Sequence, residues 1–142
     1  MKITARFFIL FFCACGIGLS TASLRSHYAA SATDYCDINQ MFNCDLVNRS
    51  TFSEIFGVPV ALIGLTGYAI LFAVTMKRNR ALANLRLYMS SAGLVFALYL
   101  AYIEAHVLRT WCLLCIGSLI AIAGITLLSA VEVSRSRMTH LA

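Results

Sequence analysis

Residues 110–131 read TWCLLCIGSLIAIAGITLLSAV, an uncharged run of 22 residues that opens on two cysteines three positions apart. A helix rises about 1.5 Å per residue and the hydrocarbon core of a bilayer is about 30 Å thick, so this run can cross it. At helical spacing the sulfurs of Cys112 and Cys115 fall on one face, a turn apart in depth. Thr110 is a candidate N-cap and Trp111 an interface residue. Backbone N–H groups and the dipole at a helix start favour a thiolate, so an exposed Cys112 is expected to be more reactive than an ordinary cysteine. One stretch therefore points both to a membrane and to thiol–disulfide exchange.

Working outward, three more uncharged runs appear: Phe7–Leu24 (18 residues), Gly57–Met76 (20) and Leu87–Ile103 (17). The 142-residue chain is 61% hydrophobic and only 12% charged, with a mean hydropathy of +0.83, too apolar for a water-soluble domain of this length. The expected fold is an all-α membrane protein: a four-transmembrane-helix bundle with spans at about 7–24, 57–76, 87–103 and 110–131, an outer loop over 25–56 and a short half-helix cap. Residues 1–142 form one domain on this reading, with no repeat and no room for a soluble appendage. Gly16, Gly18, Gly64, Gly67, Gly93, Gly117 and Gly124 let the helices approach closely, the usual packing device in lipid.

The net charge of +5 raises nucleic acid as a partner, but its distribution argues for topology instead. Lys2 and Arg6 precede the first span, Lys77, Arg78, Arg80 and Arg86 are placed in the link between spans two and three, and Arg135 and Arg137 follow the fourth. The opposite face holds Arg25, Arg49 and Arg109 with five of the six acids, Asp34, Asp37, Asp45, Glu54 and Glu104. By the positive-inside rule both termini are cytoplasmic, and Arg25–Phe56 together with the Glu104–Arg109 turn lies outside. Membrane lipid is an expected partner and nucleic acid is not. The basic start, the apolar run Phe7–Leu19 and the small residues Ser20, Thr21, Ala22 and Ser23 also fit a cleavable signal peptide. The length of the uncharged run favours a retained span, and cleavage would still leave the loop outside.

In the outer loop, Asp34–Asn39 reads as an irregular polar strip, and Asn43 as the N-cap of a short helix from Cys44 to about Arg49. Thr51–Phe56 should lie along the membrane surface before Gly57 and Pro59 open span two, with the proline in its first turn. Phe42, Leu46, Val47, Phe52, Ile55 and Phe56 supply apolar surface for a lid over the bundle.

Six cysteines occur. Cys13 and Cys15 point roughly 200° apart on a helix, cannot bond each other, and read as small buried apolar residues. Cys36, Cys44, Cys112 and Cys115 all map to the oxidising side, where disulfides persist. A zinc cluster of these four is one alternative, disfavoured by the seven-residue gap between the first two. Two purely structural disulfides are another. The third reading is a relay, in which a loop pair facing the exterior exchanges with a pair at a helix mouth beside the bilayer.

Cys36-Asp37, then Cys44, then Ser50, the run Phe56-Gly57-Val58-Pro59-Val60-Ala61 and Cys112-Leu-Leu-Cys115 at the head of the last span together resemble the vitamin K epoxide reductase family, especially its bacterial members. The resemblance covers nearly the whole chain and implies a four-helix bundle around a quinone, capped by a half-helix. It implies that Cys115 reacts with the quinone, that Cys112 exchanges with Cys44, and that Cys36 meets the thiols of a separate thioredoxin-fold periplasmic protein. Ser50 would lie near the quinone ring, the alternative being a plain helix-terminus serine. The implied activity is that of a quinone-dependent, disulfide-generating oxidoreductase using ubiquinone or menaquinone. Leu119 stands where vertebrate members carry a tyrosine, and Ser53 near where they carry a quinone-binding asparagine. Quinone reduction is therefore expected rather than epoxide reduction.

An unrelated bacterial quinone-linked disulfide oxidase also has four spans and two loop cysteine pairs, but its Cys-x-x-Cys lies in the first loop, whereas here it opens the last span. A non-enzymatic membrane subunit with structural disulfides or a metal site is the alternative from another class. Glu104, His106 and Arg109 flank the reactive helix start, where they read first as interface anchors and second as groups that tune thiol ionisation or shuttle protons to the reduced quinone. His27 and His140 read as chemically silent, and Tyr99 and Tyr102 either as bundle lining or as an aromatic belt.

Overall fold

The computed structural model describes residues 2–30, 36–77 and 79–141. Asp34 of the polar strip and Arg78 of the basic link lie outside the described residues, as does the side chain of His140. Four long helices dominate: α1 (Lys2–Tyr28), α3 (Val60–Met76), α4 (Arg80–Ile103) and α5 (Leu113–Leu141). The short helix α2 (Cys44–Asn48) and a two-stranded hairpin, β1 (Glu54–Ile55) with β2 (Val58–Pro59), lie between α1 and α3. Windows in α1, α4 and α5 are long and apolar enough to cross a membrane, while α3 is apolar but shorter at 17 residues.

α1, α4 and α5 outrun their uncharged runs, because hydrogen bonding and propensity do not stop where the hydrocarbon does, whereas α3 starts three residues inside its run. Asn79 caps α4, its Oδ1 accepting the Ala81 N–H at 3.0 Å, so that helix starts seven residues before Leu87. Arg86 is accordingly not a link residue. It sits inside α4, 5% exposed, and donates to Ser129 Oγ at 3.0 Å and to the Glu132 carboxylate on α5. At the same end, the Arg6 guanidinium donates to the Met76 carbonyl and ties α1 to the last turn of α3.

α1 packs on α3 and α5, and α4 packs on the same two helices. Their shared core holds Ile9, Cys13, Tyr68, Leu71, Ile122 and Ile125. Gly16 is essential to it: a Cβ there would sit 2.4 Å from the Tyr68 ring, whose hydroxyl bonds Ser118 O at 2.8 Å and Ser118 Oγ at 2.9 Å. Val95, Ile120 and Leu127, each more than 60% exposed, turn outward as lipid-facing positions do. Tyr99 and Tyr102 also face out, Tyr102 stacking on His106, so they line the exterior and not the bundle interior.

The cap follows its sequence cues in part. Asn43 Oδ1 accepts the Leu46 N–H at 2.7 Å and starts α2, as the N-cap reading expects. Helical spacing then turns Cys44, Val47 and Asn48 inward and leaves Leu46 48% exposed. Phe56 is fully exposed at the hairpin tip and Phe52 is 41% exposed while still bordering the cavity beneath the cap, so of the six proposed lid residues Val47 alone is buried. Phe56 and Gly57 both have positive φ, which the tight turn demands. Pro59 ends β2 one residue before α3 instead of sitting in its first turn, because Val58 and Pro59 pair with Ile55 and Glu54. Arg49 fastens the cap to α1, donating to Ala29 O at 2.7 Å and Ser26 O at 3.3 Å.

Candidate active site

Four cysteines meet where the cap touches the start of α5. Cys36 and Cys44 form a disulfide with Cα atoms 5.5 Å apart, while Cys112 and Cys115 are unbonded. Cys112 Sγ lies 3.4 Å from Cys44 Sγ. Cys112 occupies the N-cap position of α5: its carbonyl accepts the Ile116 N–H at 3.0 Å and its sulfur accepts the Cys115 N–H at 3.3 Å, the bond a capping oxygen would take. The helix thus begins at Leu113, and Thr110, expected as the cap, instead donates its hydroxyl to the carbonyls of Gln40 and Leu108.

This corner is dry. Cys36 is 1% exposed, and Cys44 and Cys112 are not exposed at all, packed with Val47 in a small cluster of their own. The expectations of an exposed Cys112 and an outward-facing loop pair are therefore corrected. The reason is the edge-on docking of residues 39–43, where Trp111 N–H donates to Met41 O at 2.8 Å and Asn43 N–H to Trp111 O at 3.2 Å, closing the cap over the sulfurs. The Cys36–Cys44 bond also removes two of the four thiolates that a zinc cluster would require.

Beneath the cap a cavity of about 260 Å³ opens among α1, α3, α4 and α5, walled mainly by apolar groups. Of the four clustered cysteines, Cys115 is the one on its wall. Ser50, Ser53 and Leu119 also line it. The Ser50 hydroxyl donates to Val47 O at 2.8 Å, leaving its acceptor side for a ligand, while that of Ser53 donates to Ser50 O at 2.7 Å and also lies 3.5 Å from His27 Nδ1. An apolar slot with a few polar groups and one thiol suits a flat, hydrophobic, reducible ring such as a quinone.

Two site residues, His27 and Asn48, escaped the sequence reading, and a third, Glu104, takes the less favoured of its two readings. His27, taken as silent, reaches the cavity and joins cap to α1: Nδ1 lies 2.5 Å from Asn48 O, and Nε2 pairs with Glu54 Oε1 at 3.1 Å. Asn48 directs Nδ2 at Cys112 Sγ over 3.9 Å. Its i, i+4 spacing from Cys44 on α2 was the available signal. Glu104 lies in the π-helical turn Glu104–Leu108 that ends α4, 3% exposed, and is a buried group rather than an interface anchor. Its Oε2 accepts the Cys112 N–H at 3.1 Å. A single acid within an apolar environment was the clue.

An apolar helical bundle presenting two adjoining cysteine pairs, one at the wall of an internal cavity, defines a membrane thiol oxidoreductase. The sequence model of the vitamin K epoxide reductase family matches residues 7–130, and the chain belongs to that family. Its members are membrane-embedded, linked to quinones in general, and generally work with thioredoxin-like partners.

Proposed function

We infer that the protein oxidises the cysteines of a separate thioredoxin-fold periplasmic protein and delivers the electrons to ubiquinone or menaquinone, so supporting disulfide formation outside the cytoplasm. It does so as a four-span bundle in a bacterial inner membrane, both termini cytoplasmic. The distribution of basic residues supports this orientation: Lys2, Arg6, Lys77, Arg80, Arg86, Arg135 and Arg137 belong to the helix ends remote from the cap.

The observation that carries the reading is the order of the sulfurs. Cys36 is bonded to Cys44, Cys44 touches Cys112, Cys112 adjoins Cys115, and Cys115 alone of the four borders the cavity. Electrons entering at Cys36 have one path to the cavity. A partner thiolate attacks Cys36, which must first be uncovered by movement of the cap, and Cys44 leaves as a thiolate. The partner's second thiolate attacks the mixed disulfide, so the partner leaves with its own disulfide and Cys36 is freed as a thiolate. Cys44 attacks Cys112 of the oxidised helix pair and frees Cys115, and Cys36 then attacks Cys44, closing the Cys36–Cys44 bond and returning the dithiol Cys112/Cys115. A quinone in the cavity supplies the two-electron acceptor, and the helix pair closes its disulfide in passing two electrons on. About 30 mV corresponds to roughly 1.4 kcal/mol for such a couple, so a modestly higher acceptor potential drives the sequence. Ser50, Ser53 and Leu119 position the ring. Tyrosine and asparagine are replaced here by Leu119 and Ser53, which favours quinone over epoxide as acceptor.

The test is reduction of decylubiquinone by purified protein supplied with a thioredoxin-fold dithiol. Cys115→Ala should abolish it while the Cys36–Cys44 disulfide persists. Retained turnover refutes the assignment, and a wild-type protein inert to every quinone would mark a non-enzymatic subunit.

A further inference from the structure

Glu104 is the carboxylate that the relay leaves unexplained. It is 3% exposed, and among the described residues no cation pairs with it. A buried charge without an opposite charge is costly, so it is kept where it does something that an apolar residue cannot. Its position is specific. Oε2 accepts the Cys112 N–H at 3.1 Å, the carboxylate also meets the Cys115 side chain, and the residue borders the same cavity as Cys115. The π-helical turn is what turns it inward: its end is held where the Thr110 N–H donates to Glu104 O at 3.2 Å and Arg109 adopts positive φ. The titratable groups around it are Cys112 and Cys115 at the start of α5, Cys44 beyond Cys112 on α2, and His27 on the cavity wall from α1.

We propose that Glu104 is the catalytic base of the relay's last step: it takes the Cys115 proton and hands it to the quinone oxygen at the cavity wall. The inference rests on the function proposed above and adds the proton path to it. In the first half, the Cys115 S–H bond breaks and an O–H bond forms on Glu104, leaving a Cys115 thiolate. In the second, Cys112 and Cys115 join as a disulfide and lose two electrons, and the Glu104 proton moves to one quinone oxygen. The second proton derives from the Cys112 thiol, so two thiols and a quinone give a disulfide and a quinol with nothing left over.

Glu104→Gln keeps an acceptor for the Cys112 N–H and removes the proton carrier, and three measurements read the outcome. Protein pre-reduced at both cysteine pairs is mixed with decylubiquinone in a stopped-flow instrument. Exchange between Cys44 and Cys112 is followed separately by alkylation and peptide mapping. Redox-difference infrared spectra of quinone-free protein report the carboxyl group. General acid–base catalysis contributes about 10²–10⁴-fold, so the variant should reduce decylubiquinone at least about 100-fold more slowly. Its cysteine exchange should stay within about twofold of wild type, and a carboxyl band that changes on oxidation of the helix pair in the wild type should be missing. Unchanged quinone reduction overturns the proposal. So does equal loss of quinone reduction and cysteine exchange, which would make Glu104 a positioning residue for Cys112, and so does a wild-type spectrum without the band. A wild-type protein whose cysteines exchange but never reduce decylubiquinone would fell the proposed function itself, and this inference with it.

Discussion

Replacing Gly16 with alanine tests how the bundle and its cavity are built. The added Cβ would sit 2.4–2.5 Å from three carbons of the Tyr68 ring, against an ordinary carbon contact of about 3.5–4.0 Å. The ring must retreat by more than about 1 Å, yet its hydroxyl is held by both Ser118 oxygens and only 4% of the residue is exposed. Overpacking costs about 1–3 kcal/mol and the two hydrogen bonds about 1 kcal/mol each, while removing a helical glycine returns about 1 kcal/mol. The net loss of about 3 kcal/mol is roughly a 150-fold shift in the unfolding equilibrium. It should be measured by reversible detergent unfolding of Gly16→Ala in the wild-type background and in a Tyr68→Leu background. With the ring gone the substitution should be neutral or mildly stabilising, giving a coupling of at least about 2 kcal/mol. Equal costs in the two backgrounds would refute the packing argument.

Gly67 lines the cavity and a Cβ there meets no atom within 4 Å, so Gly67→Phe should fill the ligand's space. The KM for decylubiquinone should rise at least about tenfold, with cysteine connectivity by peptide mapping unchanged; an unaltered KM would place the ligand elsewhere. Glu132→Leu strands Arg86, whose side chain is 6% exposed against 31% for Glu132. Partial solvation of the acid lowers the cost from that of a fully buried pair to about 2 kcal/mol. Adding Arg86→Met should recover at least half of this in thermal unfolding, and a single variant as stable as wild type would show that the pair contributes nothing.

The uncharged runs betray the helices because lipid forbids unpaired backbone in any apolar span, so composition and secondary structure are locked together. The sulfurs were legible for a different reason: two pairs on one side of a membrane have few uses, and Asn43 announced the half-helix that carries Cys44. What stayed hidden depends on tertiary approach. His27 is 21 residues from Asn48 in sequence and 2.5 Å from its carbonyl in space, with no periodicity linking them. Arg86 read as a link charge because nothing local reveals that α4 starts at Arg80 and delivers it to Glu132 on α5. The hairpin at Phe56-Gly57 was missed because two-residue strands are too short for alternation to register, and the burial of Cys112 because it depends on residues 39–43 docking against Trp111.

That docking bears on selectivity. If the cap faces an oxidising compartment as proposed, sulfurs packed away from water are insulated from the small thiols and oxidants diffusing there, which would otherwise discharge the pairs at random. On the proposed relay, current would be drawn only by a molecule that grips the cap firmly enough to lift it from Trp111, and admission would be decided by shape before potentials are ever compared.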